Sequence, residues 1–163
     1  MKQSVIYLIC IICTMAAIFM FSSENFDNTM KTSDIIVKPI ESRIKEKSDK
    51  AFDTEKAETD YWKKLKQKLD KVVRKSAHVI IFGLLGMFSI LFFISIGLSW
   101  GDAIMAAIWL CALYAGSDEL HQKFIKGRDC RMEDVCIDTF GAWIGITVIY
   151  LADKIKHAKR RRA

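Results

Sequence analysis

The sequence predicts an all-α polytopic membrane protein with four transmembrane helices and an amphipathic helical segment between the first and the second. Three observations predict it. Although 27% of the 163 residues are charged, residues 3–23, 76–101, 103–117 and 139–152 carry no Asp, Glu, Lys or Arg. Runs of this kind match a hydrocarbon core of about 30 Å at about 1.5 Å of rise per residue, whereas a soluble helix of equal length shows a polar face. The basic residues behind the net charge of +6 flank these runs, a placement that suits lipid headgroups and topology control rather than nucleic acid. A soluble globular domain is thereby excluded, and the partner implied is the bilayer.

The first apolar stretch, Val5 to Phe21, follows a single Lys2. It reads as a retained transmembrane helix rather than a cleaved signal, because a cut after Ser23 would put bulky Phe21 where signal peptides need a small residue. Cys10 and Cys13 lie inside it as apolar thiols rather than a redox pair. Residues 22–75 then carry 14 Lys/Arg and 11 Asp/Glu with one proline, Pro39, and no glycine. Helical composition begins at Ile40, and Trp62, Leu65, Leu69, Val72 and Val73 recur at three- and four-residue spacing. Residues 58–75 are therefore expected to form an amphipathic helix at the membrane interface.

The second span is expected from about Ala77 to Trp100, the third from Ala103 to about Phe124 and the fourth from Val135 to Leu151, with a tight turn at Ser99, Gly101 and Asp102. Gly141 and Gly145 in the fourth span allow close helix approach, to a helix of this chain or to a second copy in a homo-oligomer. Six basic residues, Lys154, Lys156, Lys159, Arg160, Arg161 and Arg162, follow Leu151 and place the C-terminus in the cytoplasm. Four spans bring the N-terminus to the same side. The chain thus divides into a first transmembrane helix (1–22), a charged, partly helical extracytoplasmic segment (23–75), a three-helix transmembrane core (76–152) and a basic cytoplasmic tail (153–163).

This topology gathers the polar residues of the spans at the outer face. They are Arg74, Lys75 and His78 from the second span, Asp118, Glu119, His121 and Gln122 from the third, Arg128 from the loop, and Asp134 and Asp138 from the fourth. Ionisable groups at membrane depth are costly, pair with one another and mark functional sites by default. Arg74 and Lys75 are also placed to snorkel, His78 to hydrogen-bond a carboxylate, and Glu119 to pair with Arg128 or Lys75 in a purely structural role. Ligand types for a metal are present without a diagnostic spacing, so neither metal nor cofactor is expected. Cys130 and Cys136 are too weakly placed to argue a disulfide.

At these same residues the sequence resembles the VanZ-like family of small bacterial integral membrane proteins, named after an accessory protein of teicoplanin resistance. The resemblance runs from Phe21, Ser22 and Ser23 through Arg74, Lys75 and His78 with Phe82 and Gly83, then from Tyr114 through Asp118, Glu119 and Gln122 to Phe124. It continues in Gly127 and Arg128, Asp134 and Val135, and Gly141 with Gly145, and covers roughly residues 3–152 apart from the charged segment. It implies a four-helix membrane domain in the bacterial plasma membrane whose motif residues are Lys75, His78, Asp118, Glu119, Gln122, Arg128 and Asp134. Two positions depart from the family pattern, Lys126 in place of a proline and Asp138 in place of an asparagine.

The function expected is that of a cell-envelope protein with an outward-facing polar site that binds or modifies a lipid-linked or glycopeptide-type ligand, such as a lipid-linked cell-wall precursor, and is linked to glycopeptide resistance. Lys75 and Arg128 are the candidate anion contacts. His78 and Glu119 are the candidate acid/base or orienting pair, with Asp118, Gln122 and Asp134 in support. Two alternatives stay open: a proton-coupled transporter using the same Asp/Glu/His chain, and a non-catalytic membrane scaffold.

Overall fold

The computed structural model describes residues 2–23, 26–48, 54–125 and 131–161, the side chains of 26–33 excepted. These residues form five helices and no strand: α1 (Lys2–Ser23), α2 (Phe26–Glu46), α3 (Glu55–Ser95), α4 (Trp100–Gln122) and α5 (Met132–Arg160). Four of them, α1, α3, α4 and α5, are long and apolar enough to cross a membrane. In lipid a helix satisfies all its interior backbone groups by itself, which makes this the only spanning form open to such segments short of a closed barrel.

Helix α3 is the axis of the fold. It has 41 residues and packs against each of the other four helices. No glycine or proline falls between Glu55 and Ser76 to interrupt it, so the charged stretch and the second span form one rod. The amphipathic helix expected over residues 58–75 is present and runs without a break into the second span. Thr54 caps its start, its hydroxyl accepting the Ala57 N–H at 3.2 Å, and Glu55 and Glu58 occupy the first turn where the helix dipole favours them.

Helix α2 begins 14 residues before Ile40, where helical composition sets in. Asn, Asp, Thr, Ser and Pro39 lower its intrinsic propensity, and packing on α3 overrides that. Val37 is fully buried, Lys66 of α3 reaches Asp34 at 2.7 Å, and the Lys45 ammonium sits 5.0 Å over the Trp62 ring. The hydrogen bonds from Lys66 and Lys38 hold the Asp34 carboxyl below the usual carboxylate range.

The turn between α3 and α4 is made by Gly97 rather than by Gly101. Gly97 has φ +98°, and the Leu98 N–H bonds Phe93 O while the Gly97 N–H bonds Ile94 O, a Schellman closure that glycine permits without strain. Ser99 caps α4, its hydroxyl accepting the Asp102 N–H at 3.3 Å, and Gly101 is already helical.

Small residues set how closely the spans approach. In α4 the buried face is Ala103, Ala107, Cys111 and Ala115, four residues apart. Between α3 and α5 the contact is backbone on backbone. A Cβ at Gly141 would lie 2.6 Å from Val79 O, one at Gly145 would collide with Gly83 O, and one at Gly86 with Ala142 O. The neighbour that Gly141 and Gly145 accommodate is therefore α3 of the same chain, and the face expected to serve a homo-oligomer is already occupied. The core divides in two along the bundle: Ile11, Ile18, Phe82, Leu85, Cys111, Ala115 and Ala142 in one half, and Ile90, Ala103, Ala107 and Ile146 in the other. Ile80, Trp109, Leu113, Phe140, Trp143 and Val148 point outward, as lipid-facing side chains do.

Gly145→Ala should thus destabilise the protein in detergent by about 1–3 kcal/mol through overpacking. Gly116→Ala, where an added Cβ meets nothing within 4 Å, should be neutral or stabilising by up to about 1 kcal/mol. Equal melting temperatures for the two variants would contradict the α3–α5 contact.

Candidate functional site

The inward face of α4 changes character after Ala115. The stripe that is Ala and Cys deeper in the bundle continues as Asp118, Glu119 and Gln122, each 6% exposed or less. The stripe therefore carries two carboxylates and an amide into the same interior, opposite α1, α3 and α5. Each buried polar group there needs a partner.

Helix α1 supplies some of them at its C-terminal end. The Ser22 hydroxyl donates to Asp118 Oδ2 at 2.8 Å, and Gln122 Nε2 donates to the same oxygen at 2.9 Å and to Ser22 Oγ at 3.4 Å. Ser23 Oγ lies 3.1 Å from His121 Nε2, whose ring stacks on Phe19 at 4.5 Å between centroids. One turn deeper, the Tyr114 hydroxyl donates to Met15 O at 2.6 Å. His121 thus packs against α1 and contributes to tying α1 to α4.

Helices α3 and α5 supply two parallel rungs. Lys75 Nζ donates to Asp134 Oδ1, and one turn further along both helices His78 Nδ1 lies 3.4 Å from Asp138 Oδ2. A pair at residues 75 and 78 meets a pair at 134 and 138 because the two helices run in the same direction, and the glycine contacts beyond them hold the rungs together. Where α5 begins, the Arg131 N–H donates to Glu119 Oε2 at 2.9 Å.

The result is a narrow cleft of about 20 Å³ lined by Arg74, Lys75, His78, Glu119, Gln122, Asp134, Ile137 and Asp138, room for about one water-sized group. Of the candidates read from the sequence, Lys75, His78, Glu119, Gln122 and Asp134 all line it. Asp118 lies against His78 and Asp138, with potential ligand atoms of the three within 4.8 Å of one another. Arg128 falls outside the described residues, as do Lys126, Gly127 and Cys130; Cys136 carries a free thiol.

The pairings differ from those the sequence suggests. Lys75 is engaged by Asp134 and Glu119 by a backbone N–H, so of the two cations expected for Glu119 Lys75 is taken and Arg128 lies outside the described residues. Arg74 and His78, like Asp134 and Asp138, stand four residues apart on one helix, yet the bonds run across helices. Ser22 was visible only as part of the resemblance at Phe21, Ser22 and Ser23, since a serine at a helix end has no signal of its own.

Fold and site together define a small multi-pass α-helical membrane protein with a buried, acid-rich polar centre at one end of its bundle. A family model described as VanZ/LLP1 matches residues 5–153, and the chain belongs to this family. No curated protein matches the chain, and no solved structure does.

Removing one member of the Lys75–Asp134 pair leaves the other partly buried without its counterion. Lys75→Ala should cost about 1–3 kcal/mol of stability in detergent, and Lys75→Met combined with Asp134→Leu should cost less than the two single losses added together. Additive losses in that double-mutant cycle would show that the pair does not form.

Proposed function

We propose that this chain is a cell-envelope protein whose polar centre faces the outside of the plasma membrane and binds, or modifies, a lipid-linked or glycopeptide-type ligand. The supporting observation is the convergence of α3, α4 and α5 on one cleft, with α1 reaching its Gln122 through Ser22, where the polar side chains far exceed what packing needs. In this reading Lys75 and Arg128 contact an anionic group such as a phosphate, and the ligand anion exchanges for Asp134 on Lys75. His78 and Glu119 act as the acid/base or orienting pair. The contact of His78 Nδ1 with Asp138 Oδ2 holds the ring in place for proton exchange. Asp118, Gln122 and Asp134 hold these groups in place.

The outward orientation rests on the six basic residues that follow Leu151. At the opposite end from the cleft, Trp100 and Tyr150 pack edge to face at 5.4 Å and Lys154 sits over the Tyr150 ring. Aromatic rings of this kind mark either membrane boundary, and the basic side chains beside them support the cytoplasmic side. The lipid-linked ligand class is supported by a polar cleft at one end of apolar spans, and the glycopeptide link by the resemblance.

Two measurements test the reading. In a background with the five cysteines replaced, single cysteines at Asp53 and Lys159 should differ in labelling by a membrane-impermeant reagent, with Asp53 labelled from outside. Labelling of Lys159 but not Asp53 would overturn the orientation. Lys75→Ala, His78→Ala, Glu119→Ala, Gln122→Ala and Arg128→Ala should each abolish a glycopeptide-susceptibility phenotype at constant membrane abundance and with thermal stability monitored in detergent. Folded variants with the full phenotype would sink the site and favour a scaffold, in which Gly145→Leu is the damaging change.

A further inference from the structure

We propose that His78, Asp118 and Asp138 form a binding site for one divalent first-row metal ion, such as Zn²⁺ or Mn²⁺. This goes beyond the ligand reading and holds whether or not an envelope ligand binds.

Three observations carry it. First, geometry: one ligand atom from each residue lies within 4.8 Å of the other two, and His78 Nδ1 and Asp138 Oδ2 are 3.4 Å apart. Two ligands each about 2.1 Å from a tetrahedral ion lie about 3.4 Å from one another, so one edge of the coordination polyhedron is already set. The Asp118 ligand atom stands within 4.8 Å of the other two and draws closer on binding.

Second, charge: Asp118 and Asp138 are 3% and 2% exposed, and Lys75, three residues before His78, is taken by Asp134. Among the described residues neither carboxylate has an ion pair with Lys or Arg, and two buried carboxylates beside an imidazole are an arrangement that a dication neutralises directly.

Third, an orphaned acceptor: Asp118 Oδ2 accepts from both Ser22 and Gln122, while Asp118 Oδ1, also buried, has no hydrogen-bond partner among the described residues. A buried carboxylate oxygen with open lone pairs, on a side chain whose other oxygen is fixed by two donors, is how a metal-ligating carboxylate is held before its ion arrives. Ser22 and Gln122 would then be the outer partners that orient it.

One imidazole and two carboxylates suit Zn²⁺, Mn²⁺ or Fe²⁺ better than a soft-thiolate metal or Ca²⁺. Three protein ligands leave a coordination position for water or for an oxygen of a bound anion. His78 and Asp138 also line the cleft, so the ion would lie at its inner end. Sequence spacing hides such a set because its members come from three different helices.

The test uses the untagged full-length protein in detergent, stripped with a chelator and dialysed, then titrated with Zn²⁺ and with Mn²⁺ alone. One equivalent of at least one of the two ions per chain should bind. Asp118→Asn and Asp138→Asn should weaken binding by more than the about 10–100-fold typical of losing an outer partner, and Ser22→Ala should fall within that range. Asp102→Asn and His157→Gln, far from the cluster, should leave the stoichiometric site unchanged. X-ray absorption of the Zn²⁺ form should report a sulfur-free shell of N and O ligands at about 2.0–2.2 Å, a readout that needs no variant. The wild-type melting temperature should rise with added ion, and the rise should vanish in His78→Gln. No stoichiometric binding of either ion, a sulfur-containing shell, or binding that survives both Asn substitutions overturns the proposal. The ligand reading would survive that failure, since Lys75 and Arg128 can hold an anion without a metal.

Discussion

The rest of the structure depends on the approach of α3 and α5 at their glycines. Lipid tails are as apolar as leucine, so membrane helices gain little from hydrophobic burial against each other and rely on tight packing and on polar contacts. Gly83, Gly86, Gly141 and Gly145 remove the side chains that would hold the two backbones apart. Once they touch, the register of the helices is fixed, because a glycine surface on one rod must face a flat stretch of the other. Lys75 then has to stand beside Asp134 and His78 beside Asp138, one turn before the contact. The polar rungs follow from the apolar contact.

The same constraint explains why the centre is acid-rich and still tolerated. An isolated ionised side chain in a bilayer is excluded by its desolvation cost, but groups fixed at hydrogen-bonding distance compensate one another. Lys75 compensates Asp134, the start of α5 offers the Arg131 N–H to Glu119, and α1 contributes the Ser22 hydroxyl to Asp118. Each donor comes from a different helix. The centre is therefore an assembled object, present only when α1, α3, α4 and α5 are all in place, which is how a site buried at membrane depth avoids a large penalty before the bundle closes.

How much of this could be read in the sequence depends on whether the information is local. The four spans are local, since a charge-free run announces itself, and so is the inward face of α4, whose Ala103, Ala107, Cys111 and Ala115 lead by fours into Glu119. Membership of the cleft was legible for Lys75, His78, Glu119, Gln122 and Asp134, because each is an ionisable or amide group at the end of an apolar run. Their partners were not legible. Asp118 meets Ser22, 96 positions away, and no periodicity encodes such a pair. Helix α2 was half missed because its stability comes from Val37 and Asp34 against α3 rather than from propensity. The amphipathic helix and the second span are one rod because no Gly, Pro or cap falls between them to end it, whatever the charge content. The α3–α4 turn was assigned to Gly101 when the positive φ belongs to Gly97, a choice that two nearby glycines leave open to any reading of spacing.

The unbroken α3 also couples two regions that the charge pattern separates. Lys66 and Trp62 contact α2, while Lys75 and His78 line the cleft, and all four stand on one helix. From Lys66 to Lys75 is nine residues, or about 13 Å of rod at about 1.5 Å per residue. A helix transmits axial displacement and rotation over that distance with little loss, because every backbone hydrogen bond would have to stretch to absorb it. Helix α2 grips the rod through the Asp34–Lys66 bridge, the buried Val37 and the Lys45–Trp62 contact, and it lies in the charged segment outside the spans. A rotation of α3 by a fraction of a turn would swing Lys75 away from Asp134 and His78 away from Asp138 together, since both rungs project from one face. The glycine contacts oppose such a rotation, as only one side of α3 is flat enough to meet Gly141 and Gly145. The charged segment and the polar centre thus share one helix, gripped by α2 at Lys66 and by α5 at Gly141 and Gly145.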